Sequence, residues 1–171
     1  MFVALMDHPD FKTLDFSGLK VTNSGGTALV KATAERWEKI TGCRIVEGYG
    51  LTETSPVASA NPCGSLARLG TVGMPVPGTA MKVISDEGVD LGLGERGELC
   101  VKGPQVMKGY WQNPEATAEV LDAEGWFKTG DVAVIDPDGF VRIVDRKKDL
   151  IIVSGFNVYP NEIEDIVMAH P

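Results

Sequence analysis

Hydrophobic and polar positions along the chain fall into three textures. In the first, Leu19 to Asn23 form a short apolar-rich run ending at Ser24-Gly25-Gly26-Thr27, which predicts a strand and a tight turn. Val30, Ala34, Trp37 and Ile40 then recur at three- and four-residue steps, predicting a helix over Ala28–Thr41 with Thr27 as candidate N-cap. Gly42 suits its stop, because glycine accepts the left-handed conformation that follows a helix. Arg44–Glu47 reads as a second short strand. Strand, turn, helix and strand in that order predict an α/β layer.

The second texture begins after Pro56. From Asn61 to Gly103, Gly and Pro are frequent and no helical period appears. Strands are predicted at Ala80–Ile84 and Glu98–Lys102, with Asp86-Glu87-Gly88 as a turn, and a helix at Pro114–Val120. Asp131–Ile135 and Phe140–Val144 flank Asp136-Pro137-Asp138-Gly139, a hairpin turn with Pro second and Gly fourth. This part reads as a small antiparallel sheet or barrel. In the third texture, Leu150–Val153 is a β-branched strand broken at Gly155, and Pro160 opens a helix. Ile163, Ile166 and Val167 share one face of that helix, while Glu162, Glu164 and Asp165 favour its positive end. One strand and one helix cannot close a core, so this reads as the start of a truncated domain.

The fold class expected is therefore α/β plus β. Residues 1–60 are the end of an α/β layer, 61–145 a small antiparallel β-barrel-like subdomain, and 146–171 a hinge and the first strand and helix of a C-terminal α+β domain. The 171 residues suffice for a sizeable core, and 43% hydrophobic content fits a globular chain. The net charge of −8 argues against a broad grip on nucleic acid, so a bound polyphosphate would need a metal ion, local cations or backbone N–H groups. Cys43, Cys63 and Cys100 are odd in number and widely spaced, which favours a reducing compartment and neither a disulfide framework nor structural zinc. The opening Met1–Met6 is apolar but lacks the basic flank of a signal peptide, and no apolar run approaches a membrane span.

Several loops could carry chemistry. Ser24-Gly25-Gly26-Thr27 is either a plain turn or a place where backbone N–H groups meet an anion or a base edge. It is not a phosphate loop of the Gly-Lys-Ser/Thr kind. In Gly48-Tyr49-Gly50-Leu51-Thr52-Glu53, the glycines let the chain bend beside a ligand and Tyr49 offers a ring for stacking on a purine. Thr52 can donate to a phosphate and Glu53 can ligate Mg²⁺; equally, this is a surface loop around a buried tyrosine. Asp131 could accept from ribose hydroxyls or merely cap its turn, and Arg146 could reach a ribose or phosphate or be a solvated charge. Lys147 reads as solvated.

Taken together, these segments resemble the adenylate-forming superfamily of acyl-CoA synthetases, peptide-synthetase adenylation domains and luciferases. Within it they are most similar to bacterial long-chain fatty acid–CoA ligases. Tyr49–Glu53 matches the adenine and magnesium motif, Gly97–Pro104 through Gly109-Tyr110-Trp111 the barrel motif, and Thr129-Gly130-Asp131 the ribose motif. Asp145–Asp149, Gly155 and Tyr159–Glu164 match the hinge and the start of the mobile C-terminal domain. The resemblance spans essentially the whole chain.

It implies that Gly25, Gly26 and Thr27 line the adenine pocket and that Tyr49 stacks on adenine. Thr52 would hold phosphate, Glu53 Mg²⁺, and Asp131 with Arg146 the ribose. Gly48, Gly50 and the segment after Thr54 would border the nucleotide and acyl pockets. Lys148 would be the hinge pivot, and Gly155 would lie by the pantetheine tunnel of coenzyme A. The implied partners are a fatty acid, ATP and coenzyme A, with no nucleic acid, at most peripheral contact with the inner face of a membrane, and a homodimer as an option. The implied compartment is the cytoplasm. Two rivals stand beside this reading: another adenylate-forming enzyme (an aryl- or medium-chain ligase or an adenylation domain) and a non-catalytic nucleotide-binding module. The hinge block Asn157–Glu162 favours a CoA ligase.

Two parts of the family pattern have no counterpart in these 171 residues: the Ser/Thr/Gly-rich phosphate loop ending in Pro-Lys-Gly, and the late lysine that contacts the acyl carboxylate and α-phosphate. The resemblance thus implies an internal segment of a longer enzyme. The segment alone is expected to support no fatty acid-dependent ATP–pyrophosphate exchange, and exchange above a protein-free control contradicts this.

Overall fold

A computed structural model describes residues 1–154 and 156–168. Gly155 therefore lies outside the described residues. The architecture is mixed α/β with predominantly antiparallel sheets. Its first layer is built around Trp37. Helix α1 (Phe2–Met6) and a 3-10 turn at Pro9–Thr13 precede strand β1 (Thr22–Ser24), helix α2 (Lys31–Thr41) and strand β2 (Ile45–Gly50). β1 and β2 run parallel, Thr22 opposite Ile45, with α2 as the crossover. Trp37 packs with Met6, Phe11 and Ile45, its ring 5.0 Å from Phe2 and 5.4 Å from Phe11. Its indole N–H donates to the Thr22 hydroxyl at 3.2 Å, so this buried polar atom is satisfied.

The helix starts later than its apolar spacing predicts. Val30, not Thr27, is the N-cap, and it makes no side-chain capping bond. Leu29 packs under the Trp37 cluster, and that apolar burial draws residues before Lys31 out of the helix. Gly42 ends it at φ 69, as expected.

β2 continues antiparallel into β3 (Val57–Ala60), which pairs with β4 (Met74–Pro75), so the first sheet has the order β1-β2-β3-β4. The second sheet is a meander of β5 (Ala80–Ile84), β6 (Arg96–Lys102), β7 (Phe127–Ile135) and β8 (Val141–Arg146). The barrel expected from the sequence does not close: among the described residues these four strands form an open sheet, and β5 and β8 are its edges. Four strands are too few to wrap a filled interior. Helix α3 (Pro114–Val120) has its expected bounds, capped by the Asn113 carboxamide accepting from Ala116 N–H at 3.1 Å. The Asp136–Gly139 turn also forms, with Gly139 N–H donating to Asp136 O at 2.8 Å.

The two sheets share a core of Ala58, Val83, Leu99, Val101, Ala133, Ile135 and Val141, against which the Tyr49 ring packs. Backbone bonds stitch them at Val72–Val141 (2.8 Å) and Val141–Gly73 (2.7 Å). After β8, the hairpin β9 (Ile151–Val153) and β10 (Phe156–Val158) leads to α4 (Pro160–Met168). Asn161 anchors α4, its backbone N–H donating to Asp145 Oδ2 at 3.1 Å and its carboxamide to Val144 O at 3.2 Å. Among the described residues no helix is long and apolar enough to cross a membrane.

Because Trp37 carries both the aromatic packing and the bond to Thr22, Trp37→Ala should cost about 3–5 kcal/mol of stability. A denaturant titration reads this as a lowered midpoint; a loss under about 1 kcal/mol would contradict Trp37 as the centre of this layer.

Candidate nucleotide site

The site lies where the C-terminal end of β2 meets the paired middle of β7 and the end of β8. In the β7–β8 ladder Asp131 stands opposite Arg146, so register alone puts a carboxylate and a guanidinium on neighbouring strands. Arg146 Nε is 3.7 Å from Asp131 Oδ1, with the arginine side chain 60% exposed and the aspartate 11%. From the other sheet, the Tyr49 hydroxyl donates to Asp131 Oδ2 at 2.6 Å, across 82 residues of sequence. The Thr129 hydroxyl donates to Leu99 O at 2.9 Å and accepts from Asp131 N–H at 3.1 Å, pinning the turn from below. Leu51, the Thr129–Asp131 turn and Arg146–Lys148 line a cleft of about 540 Å³ in front of this carboxylate.

The electrostatics follow from burial. Desolvation pushes the Asp131 carboxyl above its ordinary range, while the Tyr49 hydrogen bond and the Arg146 charge pull it back; Asp149 and Glu98 add smaller repulsion. Burial, reinforced by the Asp131 charge, holds the Tyr49 phenol far above its usual value, so Tyr49 stays protonated and remains a donor. The resulting carboxylate is oriented, half-neutralised and open on one side, an arrangement suited to accepting hydroxyl hydrogens.

The loop after β2 is shaped by its backbone. A Cβ at Gly50 would collide with the Pro56 carbonyl oxygen, so only glycine permits the crossing into the Thr52–Thr54 3-10 turn. The buried Thr54 hydroxyl accepts from Leu51 N–H at 2.9 Å and donates to Pro56 O at 2.6 Å. Thr52 is exposed on that turn. Glu53 points toward the Lys108–Tyr110 segment: its Oε1 accepts from the Tyr110 hydroxyl at 2.9 Å, and its carbonyl accepts from Met107 N–H at 2.8 Å. Among the described residues no three His, Cys, Asp or Glu side chains gather as a metal site, so Glu53 offers a single carboxylate.

The structure thus brings Asp131, Arg146 and Lys148 around one cleft, whose lining also includes Leu51, the N-cap of the Thr52–Thr54 turn. Tyr49 is not part of that lining: it holds the Asp131 carboxylate through its hydroxyl and packs its ring against the shared core. Gly25 abuts the end of β2, where a Cβ would sit 3.3 Å from Gly48 O, and Gly26 turns the chain at φ 86. Thr27 is exposed beside them. Gly48 in turn backs onto Ser59 O, again at 3.3 Å from a built Cβ.

Two side chains of the barrel motif, Tyr110 and Glu98, have contacts at the site that the sequence did not reveal. Tyr110 orients Glu53. Glu98 accepts from Gly130 N–H at 3.3 Å and from Lys147 Nζ at 2.9 Å. The signal for Glu98 was an acidic residue at the head of the apolar run Leu99-Cys100-Val101.

The family model described as AMP-binding enzyme matches residues 1–111. The chain belongs to the AMP-binding enzyme family. It is 56% identical over 170 residues, 99% of its length and 30% of the relative's, to a protein of Haemophilus influenzae named long-chain-fatty-acid–CoA ligase. Among solved structures it is similar to the amide bond synthetase McbA from Marinactinospora thermotolerans, at TM-score 0.90 and 35% identity, covering 99% of this chain and 35% of that one. It is likewise similar to ATP-bound MatB from Rhodopseudomonas palustris, at TM-score 0.82 and 36% identity, covering 99% of this chain and 37% of that one. The chain spans about 30% of the length of the curated relatives it matches.

Tyr49→Phe keeps the ring and removes the donor. In the full-length protein that carries this chain it should weaken ATP binding about tenfold, the loss of one charge-assisted hydrogen bond. Without the Tyr49 bond the Asp131 carboxyl rises further. Protonation as pH falls should therefore weaken binding at a higher pH than in the parent protein. A calorimetric pH series checks both; unchanged affinity and pH profile would count against the Tyr49–Asp131 pair.

Proposed function

We propose that the protein carrying this chain is a long-chain fatty acid–CoA ligase. A fatty acid carboxylate oxygen attacks the α-phosphorus of ATP, pyrophosphate leaves, and an acyl-adenylate forms. The coenzyme A thiolate then attacks the acyl carbonyl and AMP leaves. The observation that carries this reading is the 56% identity to a ligase of that name across essentially the whole chain, including every cleft residue's segment. Overall fold does not separate the chemistries of this family, since an amide bond synthetase superposes at TM-score 0.90. Sequence identity grades more finely: it is 54–56% to six relatives named long-chain-fatty-acid–CoA ligase and 45% to a seventh, against 43% to a probable 4-coumarate–CoA ligase and 35% to the amide bond synthetase. This supports the fatty acid reading over an aryl-type one.

In this reading Asp131 accepts from the ribose hydroxyls and Arg146 lies over the ribose and phosphate. Tyr49 presents its ring to adenine, with Gly25, Gly26 and Thr27 closing the base pocket. Thr52 donates to a phosphate oxygen. Glu53, fixed by Tyr110 through one oxygen, keeps the other for a magnesium ion, which takes few protein carboxylates alongside substrate phosphates. Bound there, magnesium would supply charge neutralisation at the polyphosphate. The task of the chain's own groups is to position two anions in line within an acidic protein of net charge −8. Residues 1–145 would form the nucleotide-holding part, and Lys148 would be the pivot for the segment beyond it, with Gly155 facing the pantetheine arm. Three unpaired cysteines suit a cytoplasmic enzyme, with any membrane contact peripheral.

Lys148→Pro fixes φ and removes a backbone donor at the pivot. In the full-length protein it should leave fatty acid-dependent ATP–pyrophosphate exchange within about threefold and lower thioester formation at least about a hundredfold. Equal loss of both half-reactions would contradict the pivot, and absence of exchange with any fatty acid in the unmodified protein would contradict the ligase reading.

A further inference from the structure

Among the described residues, Glu98 touches both the Thr129–Asp131 turn and Lys147, the residue next to the proposed pivot. It stands on β6 where the β6–β7 ladder shifts register between Glu98 and Cys100. A shift of this kind frees the facing strand to re-aim a side chain. Here the freed segment is Thr129-Gly130-Asp131, turned through Gly130 at φ 74. Glu98 Oε1 accepts from Gly130 N–H at 3.3 Å, and Oε2 accepts from Lys147 Nζ at 2.9 Å. Its carboxylate is 12% exposed, whereas Asp86, the other partner of Lys147 at 3.0 Å, is 72% exposed. The Glu98 contact is therefore the stronger of the two holds on Lys147. The same ammonium is pushed above its ordinary range first by Glu98 and then by Asp86.

We propose that Glu98 is a positioning residue that clamps the fixed side of the hinge to the ribose turn, so that the C-terminal segment swings at Lys148 against a firm base. This rests on the ligase reading above. A swing at one residue requires its predecessor to stay still, and Lys147 is that predecessor. A loose Lys147 spreads the rotation over several residues and slows the change of orientation between the two half-reactions. The carboxylate matters because it has two charged oxygens. A carboxamide is neutral and replaces one of the two acceptor oxygens by an NH₂ donor, so it loses the charge attraction to Lys147 and presents an acceptor at only one of the two positions.

The test uses the full-length protein, measuring ATP–pyrophosphate exchange for adenylation and single-turnover transfer from preformed acyl-adenylate to coenzyme A for thioester formation. Glu98→Gln and Lys147→Met should each slow thioester formation about threefold or more, with the KM for ATP in exchange raised less than about twofold by Lys147→Met. Glu98→Ala should also raise that KM, since it releases Gly130. The double variant Glu98→Gln/Lys147→Met should be no slower than the slower single, because both remove one contact. Lys147→Met indistinguishable from the parent protein in thioester formation, or effects that multiply in the double variant, would overturn the proposal. Asp131→Asn separates the two levels: if it leaves the KM for ATP unchanged, the ribose-site reading itself fails. If it raises that KM while Lys147→Met is silent, only the clamp fails. Should Glu98→Ala not fold, Glu98→Gln and Lys147→Met still decide the question.

Discussion

The hydrogen bond from the Tyr49 hydroxyl to the Asp131 carboxylate is the contact on which the rest of the site depends. It joins the end of the mixed first sheet to the middle of the antiparallel second one, at 2.6 Å and with the phenol buried. A carboxylate this deep is costly unless donors meet it. Two do so from two directions: the phenol from the first sheet and the guanidinium of Arg146 from the neighbouring strand. The carboxylate is thereby fixed in place while one side stays open to the cleft. The hydrophobic contacts shared by the two sheets hold them together, while the strand pairing shifts register beside both partners, at Tyr49/Gly50 and opposite Thr129–Asp131.

The acidity of the chain makes this arrangement informative. A protein of net charge −8 that handles anions has to gather its cations locally. Arg146, Lys147 and Lys148 are consecutive and line the same cleft, and they lie at the point where the chain leaves the second sheet. In the proposed function, charge compensation and the hinge would occupy the same three residues. Lys147 turns back to Glu98 and Asp86, leaving Arg146 and Lys148 toward the cleft.

Much of the local structure was legible in the sequence because it is set by local chemistry. The Asp136-Pro137-Asp138-Gly139 turn, the Pro114–Val120 helix and the Gly42 stop depend on a few adjacent residues and formed as expected. What was not legible depends on distant partners. The start of α2 moved because Leu29 is half-buried against the Trp37 cluster, a tertiary contact that helical spacing does not encode. The barrel stayed open because closure is a property of strand count and edge pairing, which a Gly- and Pro-rich texture does not encode. The same division holds at the site. The residue types at Tyr49, Asp131 and Arg146 were readable as candidate ligands, but their union across 82 residues of sequence was not. Glu98 and Tyr110, which act by orienting others, carried no motif chemistry of their own.

The most direct test is a crystal structure of the full-length protein with a non-hydrolysable acyl-adenylate analogue. The account predicts both ribose hydroxyls within hydrogen-bonding distance of the Asp131 carboxylate, with the Tyr49 bond retained and adenine against the Tyr49 ring. A nucleotide seated away from Asp131, or a Tyr49 hydroxyl turned from it on binding, would contradict the account.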